Sequence, residues 1–512
     1  MRERDDSPRA GREQRMKALF YYRGIESLGV GSLMSYLRSR GHQAELIFDP
    51  GLDDNLFIRI KPLERFNRFE SLVERAREFD PDVIAVSIPT NLYPFVNRTL
   101  SRLKREFAVP VIAGGPHVSA LPEYVMQNEL IDMICLGEGE EAFAELLDRM
   151  ENGGDITTVR NIWVKKGGEI FRNETRPLIQ DLDALPFPEK QVFREYGCFQ
   201  DNYEIVTGRG CPFRCTFCNI HYQRKMAEGK GRFVRRRSVR NVLCELTERL
   251  RLYDMKYVSF HDDTFTADRQ WVEEFCEGYR REVNLPFYCF AYPTTVDEPL
   301  MRQLKSVNCM QIFMGLDSGD PRMRTELLKR PMTDERILSS ARIVKDAGVN
   351  LQVSTIFGFP GEEPESMWKT LDLAEKAGAD LVSGYIFYPF PSTELYEHCI
   401  DTGYLTAGEV ERVWRGEAGY HHDSVLRHPY KKLAVTISKL IPLYNKAPLL
   451  RPLLRRLMQK QNEKLASFVY LLSIPFAFPF LGLEGIKTTI RMAVHAYRMS
   501  KGRRGQSPAP AR

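Results

Sequence analysis

Two regions of the chain alternate short apolar runs with amphipathic stretches, which is the pattern of strands followed by helices. In the first region, up to about residue 150, helices such as Leu28–Ser39 and Phe66–Glu78 lie between five strands. This alternation favours a parallel, doubly wound, flavodoxin-like sheet, whose ligands bind at the carboxyl ends of its strands. The predicted strands are Lys17–Tyr22, Ala44–Asp49, Val83–Pro89, Val109–Gly115 and Met133–Gly137.

The second region contains six further strand-and-helix units. Six parallel β/α units predict a partial TIM-type (β/α)6 barrel, in which chemistry takes place on the loops after the strands. Residues 151–200 lie between the two regions and predict a linker, with a possible hairpin at Asn161–Val164 and Glu169–Arg172. The six predicted strands are Tyr203–Thr207, Tyr257–Asp262, Phe287–Tyr292, Met310–Leu316, Asn350–Phe357 and Asp380–Tyr388.

The C-terminal segment has a different pattern. Lys431–Lys464 predicts amphipathic helices, and Leu465–Leu483 then runs for nineteen residues without a charge. That length permits a membrane span, but Pro475 and Pro479 each remove a helix hydrogen bond near its centre. The prolines favour an interfacial or re-entrant element, and the alternative is a helical cap buried against the barrel.

Composition and charge add to this picture. A chain of 512 residues is too long for one ordinary domain, and its 43% hydrophobic and 28% charged residues are typical of globular proteins. The ten cysteines have no paired spacing, and the first residues include no apolar signal segment. We therefore expect a reducing, cytoplasmic location.

The net charge of +5 is unevenly distributed. Residues 431–512 contain sixteen Lys and Arg against two acidic residues, so this segment is a separate functional piece. Its cations and apolar faces suit peripheral contact with the anionic, inner face of a membrane. The other basic run, Arg235–Arg237, is too short to indicate a nucleic-acid partner.

The most informative motif is a triplet of cysteines, Cys211, Cys215 and Cys218. Three thiolates at this spacing can bind three corners of a 4Fe–4S cubane and leave the fourth iron open to a small molecule. The alternatives are three unrelated buried cysteines, or a zinc site completed by His221.

Polar residues and glycines cluster after the predicted strands of both regions. Glycines allow a ligand to approach the backbone closely, although tight turns alone would also explain them. The carboxylates could bind a ligand or cap the following helices. These residues are Ser87, Gly114, Gly115 and Gly137 in the first region, and Asp262, Asp263, Asp317, Ser318, Gly358 and Gly361 in the second.

The cysteine run resembles the signature of the radical S-adenosylmethionine (SAM) superfamily, including the aromatic Phe217 directly before the third cysteine. The resemblance implies a 4Fe–4S cluster on Cys211, Cys215 and Cys218, with SAM chelating the open iron through its amino and carboxylate groups. An external donor such as flavodoxin or ferredoxin would reduce the cluster. Reduction would cleave SAM to methionine and a 5′-deoxyadenosyl radical.

By the same resemblance, the loops after the barrel strands hold SAM. Asp262 or Asp263 would face its amino group, and Asp317 with Ser318 would face its ribose. Gly358 to Gly361 would form the tight turn beside the adenine. The family usually has Glu where this chain has Asp317.

The first region resembles the cobalamin-binding domain that precedes many radical SAM domains. Its Gly-Gly-Pro-His run, Gly114–His117, and its Gly-Glu-Gly-Glu run, Gly137–Glu140, are typical of that subfamily. The Asp-x-His-x-x-Gly motif that supplies a cobalt ligand in other cobalamin proteins is absent, and His117 is interpreted as a loop residue. The domain would bind cobalamin without a protein histidine on cobalt, or retain the fold without the cofactor.

These features predict a cobalamin-dependent radical SAM enzyme that methylates, rearranges or cyclises at an unactivated carbon. Its substrate would be a small molecule or a lipid or other hydrophobic molecule. The alternatives are a radical SAM enzyme whose first domain is a cobalamin-free substrate platform, or a membrane-attached iron–sulfur carrier or sensor. The predicted segments are a disordered leader (1–16), a cobalamin-binding-like domain (17–150), a linker (151–200), a radical SAM core (201–395) and a basic, helical extension (396–512).

Overall fold

The computed structural model describes residues 15–51, 69–199, 201–417 and 423–477, together with 487, 490–492 and 494. The predicted leader lies almost wholly outside the described residues. The start of the helix predicted at Phe66 and the end of the charge-free stretch, including Pro479, also lie outside them.

The N-terminal domain is the predicted parallel, doubly wound sheet. Its strand order is β2-β1-β3-β4-β5, and the five predicted strands agree with β1 to β5 within two residues at each end. Both faces of the sheet are covered by helices, as the apolar runs of its strands require. The elements are β1 Lys17–Arg23, α1 Leu28–Ser39, β2 Gln43–Asp49, α2 Phe69–Phe79, β3 Val83–Ser87, α3 Tyr93–Glu106, β4 Val111–Gly114, α4 Pro116–Ala120, α5 Pro122–Met126, β5 Met133–Cys135 and α6 Glu140–Glu151.

The hairpin predicted in the linker is present and extends this sheet. Its strands are β6 (Ile162–Lys166) and β7 (Glu169–Phe171), and β6 pairs antiparallel with β5. The N-terminal sheet therefore has seven strands, with an antiparallel edge on an otherwise parallel sheet.

The second domain is the predicted partial barrel. Its six parallel strands follow the order β15-β14-β13-β12-β11-β8, again within two residues of the predicted ends. A two-stranded ribbon, β9 with β10, precedes the helical units. The elements are α7 Gln191–Glu195, β8 Asn202–Ile205, β9 Gly208–Arg209, α8 Asn219–Met226, β10 Arg235–Arg236, α9 Val239–Leu252, β11 Tyr257–Phe260, α10 Arg269–Glu282, β12 Phe287–Ala291, α11 Glu298–Lys305, β13 Cys309–Asp317, α12 Asp334–Asp346, β14 Asn350–Phe357, α13 Pro364–Lys376 and β15 Leu381–Ile386.

The linker joins the two domains through a shared core. Phe193 of α7 packs against Phe48 of the N-terminal sheet, with ring centroids 6.0 Å apart. The neighbouring Lys190 is buried, forms an ion pair with Glu26 of the first domain and donates a hydrogen bond of 2.6 Å to the carbonyl of Glu204 in the second. A lysine in such a position is tolerated because every contact compensates its charge.

The C-terminal extension is helical and begins as part of the barrel. It contains α14 Glu394–Asp401, α15 Ala407–Trp414, α16 Lys431–Lys446, α17 Arg451–Gln459 and α18 Glu463–Ala477. Helix α16 covers the edge strand β15, and ten of its sixteen residues are buried. Gly384 of β15 makes this contact possible, because a Cβ there would meet the carbonyl oxygen of Ser438 and lie 2.7 Å from Cγ2 of Ile441.

Helices α17 and α18 expose both leucines and cations to solvent. Leu449, just before α17, is 96% exposed, and Leu453 and Leu472 are 64% and 62% exposed. Within the part of the chain that the structure describes, no helix is both long and apolar enough to cross a membrane. The extension therefore combines a buried inner helix with outer helices that expose leucines and cations.

Substituting Gly384 by Ala tests whether α16 is an integral part of the barrel. The added Cβ overlaps the backbone of α16, so we expect a loss of about 1–3 kcal/mol in the free energy of unfolding. Chemical denaturation followed by circular dichroism measures it.

Gly408→Ala is the matched control, since Gly408 lies in a helix and a Cβ added there would have no neighbouring atom within 4 Å. It should leave stability unchanged or slightly raised. Equal stability of Gly384→Ala and the native protein would mean that α16 does not dock on β15 in solution.

Candidate cofactor sites between the two domains

The three cysteines lie on one loop at the carboxyl end of the barrel strands. Cys211 follows β9, and Cys218 is the residue before the first turn of α8. Between them, Thr216 is held by the segment after β13: its amide donates to the carbonyl of Leu328 at 3.3 Å and its hydroxyl to that of Leu327 at 2.6 Å. The loop is therefore fixed in place by protein contacts.

Polar side chains contact two of the three sulfur atoms. The Nη1 atom of Arg330 donates to Sγ of Cys215 at 3.5 Å, and the hydroxyl of Thr264, which donates to the carbonyl of Asp263 at 2.7 Å, lies 3.6 Å from Sγ of Cys211. Burial raises the pKa of the Cys218 thiol to about 12 and also raises that of Cys215, against the opposing effect of Arg330. Thiolates at these positions need a compensating cation, as iron would provide.

The geometry disfavours a single zinc ion at this loop. Among the residues that the structure describes, the one group of three His, Cys, Asp or Glu ligand atoms within 4.8 Å of one another is His42, Asp148 and Glu151, away from the cysteines. The Nε2 atom of His221 is instead 2.9 Å from Glu394. Sulfur atoms that are spread more widely suit the corners of a cluster.

Asp317 is held by an arginine that the sequence analysis did not identify. Its carboxylate is buried and lies 2.8 Å from Nε of Arg330. Asp317 has a positive φ of 60°, an uncommon conformation that directs the chain away from β13. The residue predicted to face the SAM ribose is thus engaged with Arg330 in this structure.

The two neighbouring aspartates after β11 have different surroundings. Asp262 is buried and accepts hydrogen bonds from the amide and the hydroxyl of Thr207, the latter at 2.7 Å. Asp263 is open to a cavity of about 270 Å³ inside the barrel, next to Thr264 and Arg330. Burial behind the cavity wall, together with the charge of Asp262, raises the pKa of Asp263 to about 6. Asp263 is therefore the carboxylate available to a ligand.

The remaining predicted SAM contacts support the walls of the barrel. Ser318 is fully buried, and its hydroxyl accepts from the amide of Asp320 at 3.2 Å. Gly358 and Gly361 both have positive φ, and the Gly358 amide donates to the buried carboxylate of Glu362 at 2.6 Å. Phe217 packs edge-on against Phe359 at 6.0 Å. None of these four residues lines the 270 Å³ cavity.

A larger cavity, about 620 Å³, lies between the two domains. Ser87, Gly115 and Gly137 line it from the N-terminal domain, and Asp263 lines it from the barrel. Gly114 ends β4 beside this wall without lining it. Gly115 has a φ of 98°, and a Cβ there would lie 2.8 Å from the amide nitrogen of Ile88, so the bare backbone is required. The glycine-rich wall and the size of the cavity fit a large planar cofactor.

The Gly-Glu-Gly-Glu motif also holds the domains together. Arg209 binds Glu138 at 2.8 Å and Glu140 at 2.5 Å, and Arg235 binds Glu138 at 2.9 Å. The two arginines are partners across the β9–β10 ribbon: Arg209 lies two residues before Cys211, and Arg235 follows helix α8. The sequence predicted only that these glutamates follow a strand at a ligand-binding edge of the sheet. Their ion pairs with arginines that are distant in the chain could not be predicted from a local motif.

Two histidines lie near the larger cavity. His117 is fully buried in α4 against Tyr93, and it does not line the cavity. His261, which follows β11, does line it, and burial with the nearby charge of Lys190 lowers the pKa of His261 to about 4. His261 was not among the site residues predicted from the sequence, although its place at the end of a strand was a usable signal.

Comparisons with known proteins agree with this architecture. Residues 205–374 match the model of the radical SAM superfamily, and residues 23–147 match that of the B12 binding domain. An uncharacterized methyltransferase of Pyrococcus horikoshii is 27% identical over 74% of this chain and 79% of its own length. The cytidylyl-2-hydroxyethylphosphonate methyltransferase of Streptomyces wedmorensis is 26% identical over 75% and 79%.

Among solved structures, the cobalamin-dependent SAM radical enzyme OxsB, with aqua-cobalamin and SAM bound, superposes with a TM-score of 0.66 at 16% identity. The superposition covers 96% of this chain and 80% of OxsB. The two domain matches imply a 4Fe–4S cluster, SAM and cobalamin as cofactors. The chain therefore carries a B12-binding domain at residues 23–147 followed by a radical SAM domain at residues 205–374.

Proposed function

We propose that the protein is a cobalamin-dependent radical SAM methyltransferase that acts on an unactivated carbon. One observation carries the proposal: Asp263 lies on the walls of both cavities, so the space beside the cysteine loop and the space between the domains meet at one residue. When bound, the cluster supplies the electron that cleaves SAM, and cobalamin supplies the methyl group. A substrate at this meeting point would be within reach of both.

The residues of the chain hold and shield these groups. Cys211, Cys215 and Cys218 would bind three irons, and Asp263 would accept a hydrogen bond from the amino group of SAM. Gly115 and Gly137 would allow the corrin to lie against the backbone. Aromatic side chains, including Tyr292 and Phe290, line the inner cavity and would exclude water from a radical.

Two other functions are weaker candidates. An iron–sulfur carrier or sensor would fill all four corners of its cluster with protein ligands, whereas this loop offers three cysteines. A cobalamin-free platform would not need a glycine-walled cavity of about 620 Å³ between the domains. Rearrangement or ring closure would use the same site and differ only in the substrate.

We propose a flavodoxin or ferredoxin as the external electron donor.

Replacing any one of Cys211, Cys215 or Cys218 by Ala should abolish SAM cleavage, because each variant lacks a ligand of the cluster. Formation of 5′-deoxyadenosine by anaerobically reconstituted protein measures the activity, and circular dichroism checks that the fold is intact. The exposed Cys244 provides the matched control, since Cys244→Ala should keep both cluster and activity. A triple variant of the loop that still formed a four-iron cluster and 5′-deoxyadenosine would exclude this assignment.

Gly29→Trp should reduce cobalamin binding several-fold, because Gly29 lines the larger cavity and has no protein atom within 4 Å of an added Cβ. Corrin uptake, measured by absorbance after gel filtration, gives the result. Gly29→Ala is the control and should bind normally. Gly115→Leu is less informative, since its side chain would collide with the backbone at Ile88 even without a ligand.

Full corrin uptake by Gly29→Trp would place the cofactor elsewhere. The spectrum of bound cob(II)alamin adds a second readout, because we expect no nitrogen hyperfine splitting from a protein imidazole. A splitting that disappears in His261→Ala would contradict that expectation and identify His261 as a cobalt ligand.

We infer that the outer face of α17 and α18 contacts an anionic membrane surface, and that the substrate is a lipid or another hydrophobic molecule. The face combines strongly exposed leucines with exposed cations, Arg456, Lys460 and Lys464. Apolar insertion and attraction to anionic headgroups act together at such surfaces, with about 1 kcal/mol for each basic residue close to the membrane. Contact would be peripheral, on the cytoplasmic side of the inner membrane.

Replacing Leu449, Leu453 and Leu472 together by Ser should weaken co-sedimentation with vesicles that contain phosphatidylglycerol, because the apolar contact is lost. Binding of the native protein should require the anionic lipid and decrease with salt. Leu252→Ser, at an exposed leucine on α9, is the control. Point substitutions are preferable to truncation at Tyr430, which would remove the buried α16. If the native protein stays in the supernatant at low salt, the extension is only a structural cap.

A further inference from the structure

A buried arginine lies between the cysteine loop and the carboxylate that follows β13. The Nη1 atom of Arg330 is 3.5 Å from Sγ of Cys215, its Nη2 donates to the carbonyl of Gly315 at 2.8 Å, and its Nε lies 2.8 Å from Asp317. Its guanidinium also lies 4.4 Å from the ring centroid of Tyr292. All three guanidinium nitrogens are therefore close to protein atoms, and the side chain also borders the inner cavity.

The segment that carries Arg330 is built to hold it in place. A second buried arginine, Arg324, donates to the carbonyls of Ser318 at 2.8 Å and Met332 at 3.1 Å, and also pairs with Asp334. Arg324 thereby links residues on both sides of a short π-helix, Met323–Leu327. Single π-turns are frequent at functional sites, where they place side chains that a regular helix would not.

The same segment is fastened to the cysteine loop. Leu327 and Leu328 accept the two hydrogen bonds of Thr216, which lies next to Cys215. Two hydrogen bonds from Thr216 therefore hold the segment of Arg330 close to Cys215. A chance surface contact would lack this support.

We propose that Arg330 is a positioning residue that sets the reduction potential of the 4Fe–4S cluster through its contact with Cys215. Reduction adds one electron to the cluster and hence one negative charge. A cation and an N–H donor at a cysteine sulfur stabilise the more negative, reduced state, which raises the potential. The electron comes from the external flavodoxin or ferredoxin, and the arginine neither gains nor loses a proton.

Asp317 has the opposite effect. Its carboxylate partly neutralises Arg330 from the side away from the sulfur and so moderates the increase in potential. The two residues therefore form a pair whose separate removal should shift the potential in opposite directions. A purely structural pair would give no such difference in sign.

The test is an electron paramagnetic resonance redox titration of the full-length, reconstituted protein without SAM. Arg330→Gln should shift the cluster potential to more negative values, and Asp317→Asn should shift it to more positive values. Arg330→Lys keeps the charge but loses the fork of donors, so its shift should be smaller than that of Arg330→Gln. Arg322→Gln is the matched control, since Arg322 is on the same segment and its side chain is 84% exposed.

Iron and sulfide analysis of each variant separates two kinds of failure. The inference rests on the three cysteines holding the cluster, so a native protein without four irons would contradict the proposed function itself. If the Arg330 variants lose the cluster, the direction in which Asp317→Asn shifts the reduction potential still tests the charge effect of the pair. Potentials equal to that of Arg322→Gln, or shifts of the same sign in Arg330→Gln and Asp317→Asn, would overturn the role of Arg330.

Discussion

The orientation of the two domains depends on the ion pairs between the Gly-Glu-Gly-Glu motif and the β9–β10 ribbon. Glu138 binds both Arg209 and Arg235, and Glu140 binds Arg209. Largely desolvated ion pairs are costly unless their geometry is good, and here each carboxylate has an arginine fork within hydrogen-bond distance. The contacts fix the strand ends of the N-terminal sheet opposite those of the barrel. The cavity between the domains follows from this arrangement.

Contacts elsewhere in the second domain and in the linker stabilise that arrangement. Helix α16 packs against β15, the last strand of the six-stranded sheet, and Gly384 allows this close approach. The buried Lys190 joins the linker to both domains. One extended structure therefore holds the cysteine loop, the inner cavity and the cavity between the domains.

Much of the fold could be predicted from the sequence because its signals are local. Alternating apolar runs predicted every strand of the two large sheets within two residues, although not the short ribbon β9–β10, and the spacing of Cys211, Cys215 and Cys218 is a short-range motif. The contacts of the site were harder to predict because they join distant residues. Arg330 lies 115 residues from Cys215, and Arg209 lies 71 residues from Glu138. Of the aspartates after the strands, only the packing distinguishes the open Asp263 from Asp262 and Asp317.

The central claim is that one chain binds a four-iron cluster and a corrin that face each other across the domain interface. Iron, sulfide and corrin analysis of anaerobically reconstituted full-length protein, with its ultraviolet–visible spectrum, tests this most directly. The account predicts four irons and one corrin for each chain. Four irons with no corrin under saturating cobalamin would contradict it and identify the N-terminal domain as a cobalamin-free platform.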